Sequence, residues 1–451
     1  MQYDYKEKYL VEFIGRYDGS YIFSKENRFG FFPGVLLGWN ISKEDWFNVK
    51  GLDYLKLRAS YGQMGNDQVA FDSDGDGVIE DDELQEYAYL STYNIDNYPI
   101  GGGLVTTLDE SLLANPAFTW EKANNLNVGV DGIALDGSLS FTLEYFLNKR
   151  DNILIQQTGS TPASSGIVTL LPPVNAGEVK NSGYEFNLNY YGGNEDTFSY
   201  DVGINGGYAQ SEVVTWDDNP GDPSYQRKQG KAIFGHLVYI SDGVFRDQAD
   251  IDGNTLDYSA VTGTLRPGDM KFKDVNNDGI INGDDQERLD ESSNPTFNFG
   301  MTFNASYKNF DFSLLFQGAT GASVPIQTES GEIGNFLEYS YNNRWSIDNP
   351  SSTHPRLANR GDTYYTGGNY GNNTYYLFDK DYVRLKNIKL AYNFPSKFIN
   401  SLGLSNFKVY VNALNLFTFA KNDIYDPESN TGNGQIYPQA RVINTGFSLT
   451  F

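Results

Sequence analysis

The sequence predicts an all-β protein, an antiparallel transmembrane β-barrel with long external loops. Three observations carry this prediction: apolar side chains recur at every second position in many segments, short turns alternate with long polar loops, and the chain stops within a strand pattern on Phe451. Successive side chains of a β-strand point to opposite faces. Such strands can therefore offer apolar groups to lipid and polar groups to a lumen.

Twelve segments carry the alternating pattern, with boundaries good to about 2–4 residues. The clearest one runs from Gly137 to Lys149, and one of its faces holds Leu139, Phe141, Leu143, Tyr145 and Leu147. We predict strands at residues 5–23, 27–41, 52–63, 118–134, 137–149, 181–191, 197–211, 296–308, 310–319, 376–394, 405–419 and 439–451.

The connections between these strands fall into two sets that largely alternate. The short ones are residues 135–137, 192–196 and 308–309, and the long ones are residues 64–117, 150–180, 212–295, 320–375 and 420–438. Barrels of this class have short periplasmic turns and longer external loops. The last strand then descends and places Phe451 at the periplasmic rim. Phe447, Leu449 and Phe451 share one face there, and we interpret them as an assembly signal.

A large soluble all-β protein, such as a sandwich or a propeller, is the alternative fold. Evenly spaced short strands are typical of those architectures. The predicted strands instead run 10–19 residues and the chain shows no repeat of blade length. The barrel therefore remains the favoured fold.

Composition excludes several classes of protein. The formal net charge of -25 argues against nucleic-acid binding, because phosphate contacts need clustered Lys and Arg. The chain has no Cys, which rules out disulfides, thiol nucleophiles and thiolate metal sites. The mean hydropathy of -0.48 argues against membrane-spanning helices. Residues Met1–Asp4 are polar and lack the apolar core of a signal peptide, so we expect a fragment of a longer exported chain.

Catalysis finds little support in the sequence. The only histidines are His236 and His354, and no nucleophile elbow, zinc-protease or P-loop motif occurs. We expect both histidines to be ordinary loop residues and the protein not to be an enzyme.

Residues 72–83 match the 12-residue calcium loop of an EF-hand. Acids occupy positions 1, 3, 5 and 12, and Gly77 at position 6 permits the sharp turn. The predicted ligands are Asp72, Asp74, Asp76, the Val78 carbonyl, Glu80 through water and bidentate Glu83. A solvated acidic loop is the alternative interpretation.

Residues 274–285 form a second copy of this pattern. Its predicted ligands are Asp274, Asn276, Asp278, the Ile280 carbonyl and Asp285. Asp at the last position is shorter than Glu and reshapes the site, and a plain Asn-Gly-type turn is the alternative. Without flanking helices, both loops are interpreted as structural calcium staples that offset carboxylate repulsion.

Aromatic residues cluster in one Gly- and Asn-rich loop. Flat rings beside amides suit the recognition of sugars or peptides, whereas an aromatic girdle or simple loop packing is the alternative. The candidate substrate-binding residues are Tyr364, Tyr365, Tyr370, Tyr375 and Tyr376.

Several segments together resemble SusC/RagA-type TonB-dependent outer-membrane transporters. The likeness follows family order over nearly the whole chain, and it is carried by residues 27–33 (NRFGFFP), 55–62 (LKLRASYG), 175–185 (NAGEVKNSGYE), 267–269 (PGD), 381–387 (DYVRLKN) and 446–451 (GFSLTF).

The resemblance implies energy-coupled import of oligosaccharides or peptides across the outer membrane. A SusD-like lipoprotein would cap the barrel, and the TonB complex would act through an N-terminal part that this chain lacks. Transporter barrels of this type have about 22 strands. Residues 1–451 are therefore expected to be the C-terminal portion of the barrel, without plug domain or signal peptide. The alternative function is a calcium-stapled surface binding or adhesive β protein without transport.

Overall fold

The computed structural model describes most of the chain. The described residues are 1–68, 86–194, 197–326, 337–350, 353–359, 362, 372–400, 403–422, 424–429, 437 and 439–451.

Strands dominate the described residues, and thirteen of them form one antiparallel sheet. In chain order the strands are β1 Gln2–Tyr5, β2 Tyr9–Gly19, β3 Phe29–Asn40, β4 Leu52–Asn66, β5 Thr92–Ile100, β6 Gly103–Leu112, β7 Glu121–Ala134, β8 Leu139–Ile155, β9 Val174–Asn194, β10 Phe198–Thr215, β11 Leu237–Tyr239, β12 Ser241–Val244, β13 Met270–Phe272, β14 Gln286–Arg288, β15 Phe297–Tyr307, β16 Phe310–Thr320, β17 Ser323–Pro325, β18 Leu377–Asp379, β19 Tyr382–Asn393, β20 Asn406–Ala420 and β21 Val442–Thr450. The large sheet has the order β1-β2-β3-β4-β7-β8-β9-β10-β15-β16-β19-β20-β21.

The register between neighbouring strands keeps the apolar positions of one strand opposite the apolar positions of the next. Leu143 of β8 lies opposite Val130 of β7 and Phe186 of β9, so apolar side chains line one continuous face. On the other face, Glu144 lies opposite Gly129 and Glu185. This division is the one a barrel needs between lipid and lumen, and it confirms the predicted fold class.

The connections separate by length onto the two ends of the sheet. Strands alternate in direction, so the short links 135–138 and 308–309 lie at one end, and the long links 67–120, 216–296 and 321–381 lie at the other. Leu135, Asp136 and Gly137 all have positive φ, which closes the tight β7–β8 turn. By the usual rule the long-loop end is external and the short-turn end periplasmic.

Several predicted boundaries were wrong. The strand expected at 5–23 is divided into β1 and β2, because Lys6 and Glu7 adopt positive φ and make a turn. The strand expected at 376–394 is divided into β18 and β19, which lie in different sheets. The long loops also contain unpredicted structure, namely hairpin β5–β6 and the pairs β11–β14, β12–β13 and β17–β18.

Helices are few and short in the described part of the chain. They are α1 Gln248–Asp252, α2 Glu338–Asn343 and α3 Ser396–Asn400, with 3-10 turns at Ile41–Lys43, Ala163–Ser165, Val168–Leu170, Gly283–Asp285 and Thr374–Tyr376. Within the described ranges, no helix combines the length and the apolar character needed to cross a membrane.

The large sheet is open as far as the structure describes it. β1 pairs only with β2 and β21 only with β20, so these two strands are its edges. Ser405 at the short-turn end donates its backbone N–H to the Thr450 carbonyl at 2.7 Å. The C-terminus therefore lies at the predicted periplasmic rim, with Phe447, Leu449 and Phe451 exposed. Their role as an assembly signal stays a prediction.

A charge on the apolar face should block membrane insertion. We expect Leu143→Lys to cost about 2–4 kcal/mol, because its side chain would face hydrocarbon near the middle of β8. Asn127→Lys is the matched control, since Asn127 on β7 faces the lumen opposite Phe146. The measurement is the heat-modifiable, membrane-inserted fraction of each variant. Equal insertion of the two variants would contradict the assignment of faces.

Candidate functional site in the external loops and on the lumenal face

The described parts of the two longest loops, 216–296 and 321–381, pack together into one external body. Its core holds Tyr239, Val244, Phe245, Tyr258, Val261, Met270, Phe272, Ile281, Ala358 and Tyr376. Burial raises the pKa of Tyr239 and of Tyr258 to about 12, so both phenols stay neutral. The external body is therefore a packed unit rather than a set of independent loops.

A buried ion cluster joins the two loops of this body. The Arg356 guanidinium lies 2.6 Å from the Asp269 carboxylate and 3.2 Å from that of Asp362. Burial raises the pKa of Asp269, while the Arg356 charge and the backbone N–H of Arg266 oppose that rise. Burial lowers the pKa of Arg356, but the carboxylates of Asp269 and Asp362 outweigh burial and raise it above its ordinary value, so the guanidinium stays charged.

The five predicted substrate-binding tyrosines differ in what the structure shows of them. Tyr364, Tyr365 and Tyr370 lie outside the described residues. Tyr376 is only 1% exposed and belongs to the core of the external body, so its ring is not offered to a ligand. Tyr375 is partly buried beside it, and its hydroxyl lies 2.8 Å from His354 Nδ1. Tyr376 lies on a short 3-10 turn and packs inside the loop, and a substrate-binding role for the other tyrosines stays a prediction.

Both histidines are part of loop packing. His236 Nε2 lies 3.1 Å from the Ser323 carbonyl. Partial burial lowers the pKa of His354, whose ring meets Tyr339 and Tyr375 edge to face.

The first predicted calcium loop, with Asp72, Asp74, Asp76, Val78, Glu80 and Glu83, lies outside the described residues. The second loop is well described. Asp274 accepts hydrogen bonds from the backbone N–H groups of Asp278 and Gly279, at 3.2 and 2.9 Å. Asp285 is fully buried and accepts from Val275 and Asn282, at 2.8 and 2.9 Å.

These contacts let the second loop satisfy its own carboxylates. Asn276 Nδ2 donates to Asp278 at 2.9 Å, which draws two further predicted ligands into the same internal network. Among the residues with described positions, no group of three or more His, Cys, Asp or Glu side chains is arranged to hold a metal. The described geometry thus does not establish a fit for calcium, and metal binding at either loop stays a prediction.

A concavity of about 650 Å³ with mixed polar and apolar lining opens on the lumenal face between β8 and β16. Its lining includes two carboxylates, four amides and three phenylalanines, together with several glycines. The principal contributors are Thr142, Glu144, Phe146, Glu185, Asn187, Asn205, Asn298 and Gln317. Such a surface can hydrogen-bond neutral polar ligands through either donors or acceptors.

Asp426 and Glu428 of the β20–β21 loop lie against the lumenal face, which the sequence did not predict. Arg384 of β19 faces the lumen opposite Gln317 and is only 2% exposed. Its guanidinium lies 2.8 Å from Asp426 and also contacts Glu428. Lys386 binds Glu428 as well, at 2.8 Å. Two lumenal cations therefore hold two carboxylates of the segment that connects β20 to β21.

Comparison with known proteins gives a consistent result. A family described as "TonB dependent receptor-like, beta-barrel" matches residues 1–416. TonB-dependent receptor P26 of Formosa agariphila is 31% identical over the whole chain, which corresponds to 45% of that protein. TonB-dependent receptor SusC of Bacteroides thetaiotaomicron is 26% identical over the whole chain and 43% of its own length.

Solved structures show the same fold. The RagAB peptide importer in its open-open state matches the whole chain with a TM-score of 0.72 and 22% identity, over 46% of the matched chain. The chain thus spans about half the length of the relatives it matches.

Removal of the Arg384 charge should release the part of the β20–β21 loop around Glu428. Breaking a buried ion pair from one side costs about 3–5 kcal/mol, so we expect Arg384→Gln to free the segment around Glu428. The chain has no native Cys, so spin labels can be placed at Ser429 and at lumenal Ser313. The distribution of distances between the two labels should be narrow in the protein that retains Arg384 and broad in the Arg384→Gln variant. Lys408→Gln, which removes a more exposed lumenal cation near Asp311, is the control and should leave it narrow.

Proposed function

Because this chain belongs to the TonB-dependent receptor family, and to its outer-membrane β-barrel, we propose that it is the barrel portion of a SusC/RagA-type nutrient importer. The observation that carries this proposal is the continuous sheet, which has one apolar face, one polar face and all of its long loops at one end. The match to the family over residues 1–416 supports it.

The proposed cargo is an oligosaccharide or a peptide. The relatives and neighbours include SusC and a protein described as a peptide importer. The lumenal concavity offers amide and carboxylate groups, which suit hydroxyl-rich or amide-rich ligands. No step of the proposal needs a catalytic residue.

The proposed partners are a SusD-like lipoprotein and the TonB complex. The lipoprotein would cover the external loops and capture ligand there with the barrel. A plug would close the lumen, and TonB would pull it to let ligand through. In this scheme the external body supplies a firm rim, because its core and the Arg356 ion cluster bind its two loops to each other.

The experiment that tests this proposal is uptake by the transporter in cells. A strain lacking the transporter should regain growth on its oligosaccharide or peptide when the parent gene is returned, and should not regain it with Leu143→Lys. Growth without TonB would contradict energy coupling. If the purified chain is monodisperse and rich in β-structure in buffer without detergent, the result would instead favour the adhesive, calcium-stapled alternative.

We also propose calcium as a structural ion of the two acidic loops. Calcium would offset repulsion among Asp72, Asp74 and Asp76, and among the acids of residues 274–285. The Asp76→Ala variant should lose calcium-dependent protease resistance of loop 64–117, and Asp96→Ala, outside both motifs, should retain it. Identical digestion with and without a chelator would contradict the proposal.

A further inference from the structure

Hairpin β5–β6 stands apart from the large sheet. Every residue of β5 is exposed, and the two strands pair only with each other. An isolated two-stranded hairpin is marginally stable in water. A third strand that adds main-chain hydrogen bonds would stabilise such a hairpin.

The base of the hairpin is nevertheless firmly placed. Leu113 donates its backbone N–H to Leu170 at 2.8 Å, and the Asn115 side chain donates to the Pro173 carbonyl at the same distance. Just beyond, Phe118 and Trp120 pack in a buried aromatic cluster with Phe23. The hairpin therefore projects from a rigid support.

The turn geometry fixes which backbone groups face outward. Gly101 and Gly102 have φ of 61° and 85°, and Ile100 pairs with Gly103, as in a two-residue type I′ turn. Ile100 and Gly103 then form a hydrogen-bonded pair, and such pairs alternate along the ladder. The residues whose N–H and carbonyl groups point away from the partner strand are Leu104, Thr106, Leu108 and Glu110 on β6, and Tyr93, Ile95, Asn97 and Pro99 on β5.

The two edges of the hairpin differ in their protection. Pro99 lacks an N–H group and interrupts the outer row of β5. Along β6 the sequence GLVTTLDESL contains neither Pro nor Lys, which proteins commonly place on exposed edges to prevent pairing. The described residues make no hydrogen bond to the outward groups of Leu104, Thr106 or Leu108.

The side chains around this edge favour an extended peptide. Leu104 is 74% and Leu108 65% exposed, and both lie on one face with Ile95 and Pro99. The charged side chains of β5 and β6 are Asp96, Asp109 and Glu110, all acidic. A strand with apolar residues at alternate positions and a basic residue near Asp109 would satisfy both the backbone and the side chains.

We propose that the free edge of β6 is a binding site for extended peptides, which add to it as a third, hydrogen-bonded strand. The inference rests on the proposed import function and narrows the cargo to peptides at this position. Glycans lack the regular row of N–H and carbonyl groups that the edge would pair with.

The test is fluorescence anisotropy with the protein purified from outer membranes in detergent. The probe is a labelled ten-residue peptide of alternating valine and threonine with one lysine. Thr106→Pro removes an outward N–H of β6 and should weaken binding at least about fivefold, through loss of the main-chain hydrogen bonds of the added strand. Asn97→Pro is the matched control, because it blocks the β5 edge and breaks the same Thr106–Asn97 side-chain bond; it should bind as the parent does.

A second measurement is independent of hairpin folding. The same peptide with alternate backbone nitrogens methylated should not bind the unaltered protein. Equal affinity for both peptides, or equal binding by the parent and by Thr106→Pro, would overturn the proposal. So would a peptide-independent dimer that Thr106→Pro abolishes, since the edge would then pair with a second copy. Heat-modifiable insertion of Thr106→Pro distinguishes loss of this site from failure of the barrel assignment.

Discussion

The satisfaction of backbone hydrogen bonds in lipid is the constraint on which the structure depends. A membrane-spanning strand has no water to pair with, so its N–H and carbonyl groups must bond to neighbouring strands. The long antiparallel ladder from β2 to β20 meets this requirement strand by strand. Once the strands are paired in this ladder, the two-residue period of each strand decides which face of the sheet each side chain occupies. Leu143 must face lipid because its neighbour Glu144 faces the lumen.

This constraint also explains why the sequence predicts the sheet so well. Period-two alternation over ten or more residues is a local signal, and it located the strands around Leu143, Phe303 and Phe447. Breaks in that signal are harder to detect. Lys6 and Glu7 form a turn with positive φ inside a segment whose sequence resembles a single strand. Neither residue type is typical of positive φ, so the sequence does not indicate this turn. Hairpin β5–β6 was missed because Asn97 and Pro99 interrupt its alternation.

The candidate site was far less predictable, since it depends on contacts between residues distant in sequence. Tyr376 resembles an exposed loop aromatic, yet it is buried in one core with Phe245 and Tyr258 from another loop. Arg384 lies in a recognisable family segment, but nothing local indicates that Asp426 and Glu428 fold back onto it. The spacing of acids in residues 274–285 was visible at once, whereas the backbone N–H groups that occupy those acids were not.

The external body has a mechanical consequence. Its two loops leave from β10, β15, β16 and β19, which are four consecutive strands of the sheet. Because Arg356 and the shared aromatic core bind these loops to each other, the body acts as a brace across the outer ends of that arc. A force applied to either loop would therefore be shared among the outer ends of these four strands.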